Sequence, residues 1–109
     1  MRTHKQLEII HNVMLQYYGE EFIVEGRDEP ATERRHIFAY VAYKNTEARF
    51  KDLAKFLNKR EHSTIHNAIK TCRDRMEAYK DFANTVKEID NMARDAIETD
   101  KALGLICQH

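Results

Sequence analysis

Leu57-Asn58-Lys59-Arg60-Glu61-His62-Ser63-Thr64-Ile65 is the stretch on which the fold turns. Before it, Phe50, Leu53, Ala54, Phe56 and Leu57 recur at the spacing of a helix's buried face. After it, Ile65, Ala68, Ile69, Cys72 and Met76 do the same. A few polar residues between them must reverse the chain. Asn58 is the non-glycine residue best suited to the left-handed backbone of a helix end, and His62 or Ser63 can cap the helix that follows. Helix, tight turn, helix is the helix-turn-helix pattern.

Outward from this pair the chain reads as more helix. Thr3 to Tyr18 repeats Leu7, Ile10, Met14 and Tyr17 or Tyr18 every three or four residues, with Ile9 and Val13 widening the stripe, and Gly19 is placed to end it. Glu20 to Pro30 is an acidic connection in which Phe22-Ile23-Val24 is expected to pack as a short turn on the core. Thr32 is expected to N-cap a second main helix running to about Lys44, with Glu33 in its first turn and Ile37, Phe38, Tyr40 and Val41 inward. Asn45-Thr46 marks a break. From Tyr79 onward Phe82, Val86, Ile89, Ala93, Ala96 and Ile97 predict a long C-terminal helix over about 79–103, with no breaker before Gly104. That helix either closes the core or offers its far end as a seam to a second copy or a partner protein.

Three glycines and one proline in 109 residues favour helices over a turn-rich β architecture. The expectation is therefore an all-α single domain over 1–109. No apolar run approaches the about 20 residues that span a bilayer, and Met1-Arg2-Thr3-His4-Lys5 leads into no signal-like apolar segment. A soluble, cytoplasmic protein without a membrane partner is expected, with Cys72 and Cys107 as reduced thiols.

The net charge of zero conceals a strong segregation. Residues 1–33 hold three Lys/Arg and seven Asp/Glu; residues 34–75 hold eleven against four; residues 76–109 hold four against seven. The blocks carry −4, +7 and −3, so the middle one could attract a polyanion that the whole-chain value would argue against. Charge runs also arise simply as solvated helix faces. No carboxylate pair, nucleophile constellation or metal cluster points to an enzyme. His62 and His66 stand at i and i+4, as chelating histidines can, but no third ligand lies nearby, and neither a metal nor a cofactor is expected.

Arg60-Glu61-His62-Ser63-Thr64-Ile65 resembles the Gly-Gly-Arg-Asp-His-Ser/Thr-Thr-Val signature region of the C-terminal DNA-binding domain of the bacterial replication initiator DnaA. The resemblance runs without a gap from about Arg27 to Ala68, within a core of 27–76. It implies a Trp-repressor-like helical fold containing a helix-turn-helix, and binding to short sites in double-stranded DNA. The departures are specific. Asn58-Lys59 stands where the family has two glycines, Glu61 replaces its aspartate, and His66-Asn67 replaces an apolar residue and a histidine. No phosphate-cradling glycine loop accompanies the domain, so an ATPase module is not expected.

In a helix-turn-helix the second helix enters the major groove by its N-terminal residues. The resemblance implies that Glu61, His62 and Thr64 face base edges, and that Arg35 is similar to the family's arginine that reaches into the minor groove. Asn67 is added because an amide can bond a purine. Lys59, Arg60 and Ser63 are expected on phosphates at the helix N-terminus, and Arg34, Lys55 and Lys70 by charge alone. Each has a plainer role open to it: His62, Ser63 and Thr64 as caps, Glu61 as a helix-dipole partner. The expected function is sequence-preferring duplex binding by a stand-alone bacterial or phage regulator, or by a replication or mobile-element accessory factor. The alternative is a helical protein-interaction module that keeps the fold without specific DNA binding. The two differ in whether Arg34, Arg35, Lys55, Lys59, Arg60 and Lys70 form one face.

Overall fold

The computed structural model describes residues 2–26, 29–58 and 62–106, with backbone alone at Arg2, Leu105 and Ile106. Among these residues it contains five helices and no strand: α1 (Arg2–Tyr18), α2 (Glu29–Asn45), α3 (Phe50–Phe56), α4 (His62–Ala78) and α5 (Lys80–Ile106). The all-α expectation holds.

α1 buries Leu7, Ile10 and Met14 and ends where Gly19 turns to φ 79°. The Gly19 N–H still reaches the Leu15 carbonyl at 2.7 Å, closing the last turn. Residues 20–26, the described part of the link that follows, have no regular structure, so their backbone polar groups need other partners. Two side chains supply them. The Glu21 carboxylate accepts from the Phe22 and Ile23 N–H groups at 3.0 and 2.9 Å and from His11 Nε2 at 2.8 Å. Burial pushes the Glu21 carboxyl up, but these bonds outweigh it and hold its pKa below the ordinary value. Arg35, reaching across from α2, donates to the carbonyls of Phe22, Val24 and Gly26. The link is thereby pinned with Phe22 fully buried among the rings of His11 and Phe38. Phe22 packs on the core as expected; Val24 stays exposed.

α2 begins earlier than its sequence suggests. Thr32, expected as the N-cap, lies inside the helix, which starts at Glu29. Pro30 explains the shift, because the first turn is where its missing N–H costs nothing. Thr32 Oγ1 instead accepts from Arg35 at 3.1 Å. α2 is the central helix: Ile37, Phe38, Ala39, Val41 and Ala42 are all fully buried, a wider arc than the stripe read from the sequence.

α3 is seven residues long, its start held by the Arg49 N–H donating to Asp52 Oδ2 at 2.9 Å. It ends at Phe56, and two residues on Asn58 takes φ 60°, the left-handed conformation anticipated for it. α4 buries Ile65, Ala68, Ile69 and Cys72 against α2 and α3, with Met76 partly buried beside them. Desolvation pushes the Cys72 thiol up to about 12, so it stays protonated.

Tyr79 alone separates α4 from α5. α5 buries Val86, Ile89, Ala93 and Ile97 and packs on α1, α2 and α4, so the long helix does close the core. It extends through Gly104, three residues past the expected end. α1 and α5 run antiparallel, with Lys5 at the start of one 3.3 Å from Asp100 near the end of the other. Asp90, buried on α5, receives hydrogen bonds from Asn45, Lys44 and Arg94 and thereby ties the C-terminus of α2 to α5. No described helix is long and apolar enough to cross a membrane.

Candidate nucleic-acid interface

The first two turns of α4 present His62, Ser63, Thr64, His66 and Asn67 to solvent while Ile65, Ala68 and Ile69 hold the opposite side in the core. The apolar positions settle this orientation, since a helix turns 100° per residue and 65, 68, 69 and 72 share one side. α2 and α3 back the helix from behind. From His62 to Arg73 there is no carboxylate; the first is Asp74, which pairs with Lys70 at 3.1 Å.

The exposed residues fall along three lines. Ser63, Asn67 and Lys70 share the outward one. His62 and His66 turn toward α3: the His66 ring lies 5.9 Å from that of Phe50, and His62 borders a cleft with Tyr43, Arg49 and Lys51. Thr64 turns the other way, into a smaller cleft of about 330 Å³ shared with Thr32, Arg35 and His36. Burial, with the charges of Arg35 and Arg75, lowers the His36 pKa below the ordinary value.

The expected readout residues thus meet different fates. His62, Thr64 and Asn67 are exposed near the start of α4, as is the expected phosphate contact Ser63. Glu61, Lys59 and Arg60 lie outside the described residues. Arg35, expected in a minor groove, is instead buried, and its guanidinium donates to three backbone carbonyls and Thr32. The charge of Arg35 was visible in the sequence; the orphan carbonyls of a link thirteen residues away were not. Arg34 is likewise turned away. Its guanidinium lies 4.1 Å from the centroid of the Tyr18 ring and 3.7 Å from Glu20, and the side chain is only 20% exposed.

Lys55 is exposed on α3, beside a cleft it shares with Thr3 and His4 of α1. Lys70 is exposed on α4 and half-answered by Asp74. The described members of the six-cation set therefore do not form one face. A different cationic surface appears between α2, α3 and α4, where Arg49 and Lys51 flank Tyr43 and Phe50. In the sequence Arg49 and Lys51 stand out only as members of the basic block. The signal that could have marked them is their position on either side of Phe50, just outside the α3 apolar stripe. No protein-family model, curated protein or solved structure matches the chain.

Proposed function

We propose that the chain binds duplex DNA, laying the N-terminal half of α4 in the major groove with α3 crossing behind it as a helix-turn-helix. The observation that carries this is the exposed start of α4. Its side chains donate and accept hydrogen bonds, no carboxylate occurs from His62 to Arg73, and the apolar side is fully engaged by α2 and α3. Such a surface suits base edges flanked by phosphates. The resemblance of Arg60 to Ile65 to the DnaA signature supports the same reading, in which Glu61, His62, Thr64 and Asn67 reach bases while Lys59, Arg60 and Ser63 hold phosphates. Arg35 is left out of the contact set. The role that fits is a stand-alone regulator or accessory factor.

A fluorescence-anisotropy titration with a DnaA-box-like duplex and a scrambled duplex, at two salt concentrations, tests the proposal. Preferential binding to the box, weakening as salt rises, is the expected result. Absence of binding to either duplex at low salt would overturn it. The second reading, a helical protein-interaction module, is favoured by the internal use of Arg34 and Arg35, which removes two cations from any DNA face.

A further inference from the structure

The outward line of α4 leaves unexplained the flank that this helix shares with α2 and α3. There the Tyr43 ring, 46% exposed, stands 5.2 Å from Phe50, centroid to centroid. Phe50 stands in turn 5.9 Å from the exposed imidazole of His66. Tyr43 and Phe50 line an open cleft of about 760 Å³ together with Arg49, Lys51 and His62. Past Tyr43 the surface continues into a second depression of about 340 Å³, bordered by Lys44, Ile69 and Arg73. Tyr43 lines both, so the two depressions lie on either side of it, and together they are called the track.

Four cations border this track against a single carboxylate, Glu47. Arg49 is partly answered by Asp52 at 3.6 Å and Lys44 by Asp90 at 3.2 Å. Lys51 and Arg73 make no ion pair among the described residues. Core packing does not account for Tyr43, which leaves nearly half its surface in water at the middle of the track. A small anion would use the cations and ignore the rings. A duplex would offer phosphates but no free base face. Unpaired nucleotides offer both, since every base has a π-face to stack on an aromatic ring and a phosphate to meet a cation.

We infer that the track between α2, α3 and α4 binds single-stranded DNA, with bases stacked on Tyr43 and Phe50 and phosphates on Arg49, Lys51 and Arg73. The choice of DNA over RNA rests on the duplex reading of α4, whose His62 the cleft shares. An unpaired strand beside a duplex on α4 would suit a junction between the two.

The test is a titration of the full chain with a labelled oligothymidylate of about 12 nucleotides, within the usual span of single-strand sites. Abasic DNA of the same length, an oligouridylate and a blunt duplex are run in parallel. The oligothymidylate should bind at least about fivefold tighter than the abasic strand, because stacking adds to phosphate attraction. Tyr43→Ala should shrink that difference, leaving what Phe50 supplies, and Tyr43→Phe should retain it, with far-UV circular dichroism confirming that both variants are folded. Lys51→Ala should weaken the oligothymidylate and the abasic strand alike and flatten the salt dependence. Equal binding of the abasic strand, an unchanged Tyr43→Ala variant or no single-strand binding would each overturn the inference. Equal or tighter binding of the oligouridylate would overturn the assignment to DNA. Single-strand binding without duplex binding would sink the duplex reading and leave the choice of DNA to the oligouridylate comparison alone; duplex binding alone would overturn the inference and leave the duplex reading standing.

Discussion

Replacing Arg35 with Ala should unfold the α1–α2 link and lower stability far more than removal of a surface cation. Arg35 donates to Phe22 O at 2.9 Å in a fully buried bond. Its bonds to Val24 O, Gly26 O and Thr32 Oγ1, at 3.0, 2.9 and 3.1 Å, are partly open to water. A hydrogen bond from a charged donor contributes about 1.5–3 kcal/mol. Taking about 2 kcal/mol for the buried bond and about 2 kcal/mol for the part-exposed ones together gives about 4 kcal/mol lost. The variant no longer desolvates a guanidinium, which returns part of this and leaves about 3 kcal/mol. For a domain of this size that is a fall in Tm of more than about 10 °C. Arg35→Lys should recover less than half, because an ammonium cannot fork to several carbonyls as a planar guanidinium does. The assay is thermal and urea unfolding followed by far-UV circular dichroism. A Tm within a degree or two of the parent, with weakened duplex binding, would refute this account and return Arg35 to the DNA.

Four further outcomes are expected. Burial raises the pKa of Asp90, but hydrogen bonds from Asn45 and Lys44 and the charges of Lys44 and Arg94 outweigh it, so the folded pKa is depressed. Its contribution is therefore present above the unfolded value of about 3.9 and lost as pH falls through the folded one; urea titrations should show Asp90→Asn flattening that acid limb, and an identical limb would remove Asp90 from the account. Asn58 holds φ 60°, so Asn58→Gly should leave Tm equal or higher while Asn58→Val costs about 1–2 kcal/mol; a neutral Val variant would show that the turn is not held left-handed. The Cys72 thiol, buried and pushed up to about 12, should resist an aromatic disulfide reagent in the folded protein and react in urea, with peptide mapping to identify the site; rapid labelling when folded would contradict its burial. His62→Ala or Asn67→Ala should cost about 1–3 kcal/mol on a preferred duplex and relax specificity there; equal losses on every duplex would show that these residues only position the backbone.

Helix identity was legible wherever one apolar stripe met solvent on its other side. α1, α3, α4 and α5 each show that pattern, and Gly19 and Asn58 adopt the backbone their types foretold. The start of α2 was not legible, because Thr32 and Glu33 make a plausible cap, while the Pro30 preference for a first turn sets the boundary earlier. The candidate site was legible at His62, Ser63, Thr64 and Asn67, whose exposure follows from the burial of Ile65, Ala68 and Ile69. It was not legible for Arg34 and Arg35. Both look like surface cations in one dimension, and what engages them comes from the end of α1 and the link behind it.

By itself the sequence determined the all-helical class, most helix faces and the polar start of α4, because these depend on local periodicity and on residues within a turn of one another. Tertiary structure alone decided which cations remain available. Partner choice for a long charged side chain depends on distant carbonyls, rings and carboxylates that folding brings within about 3–4 Å. That is why Arg35 turns inward to the link, Arg34 lies over Tyr18, and Arg49 and Lys51 come to flank Tyr43 and Phe50.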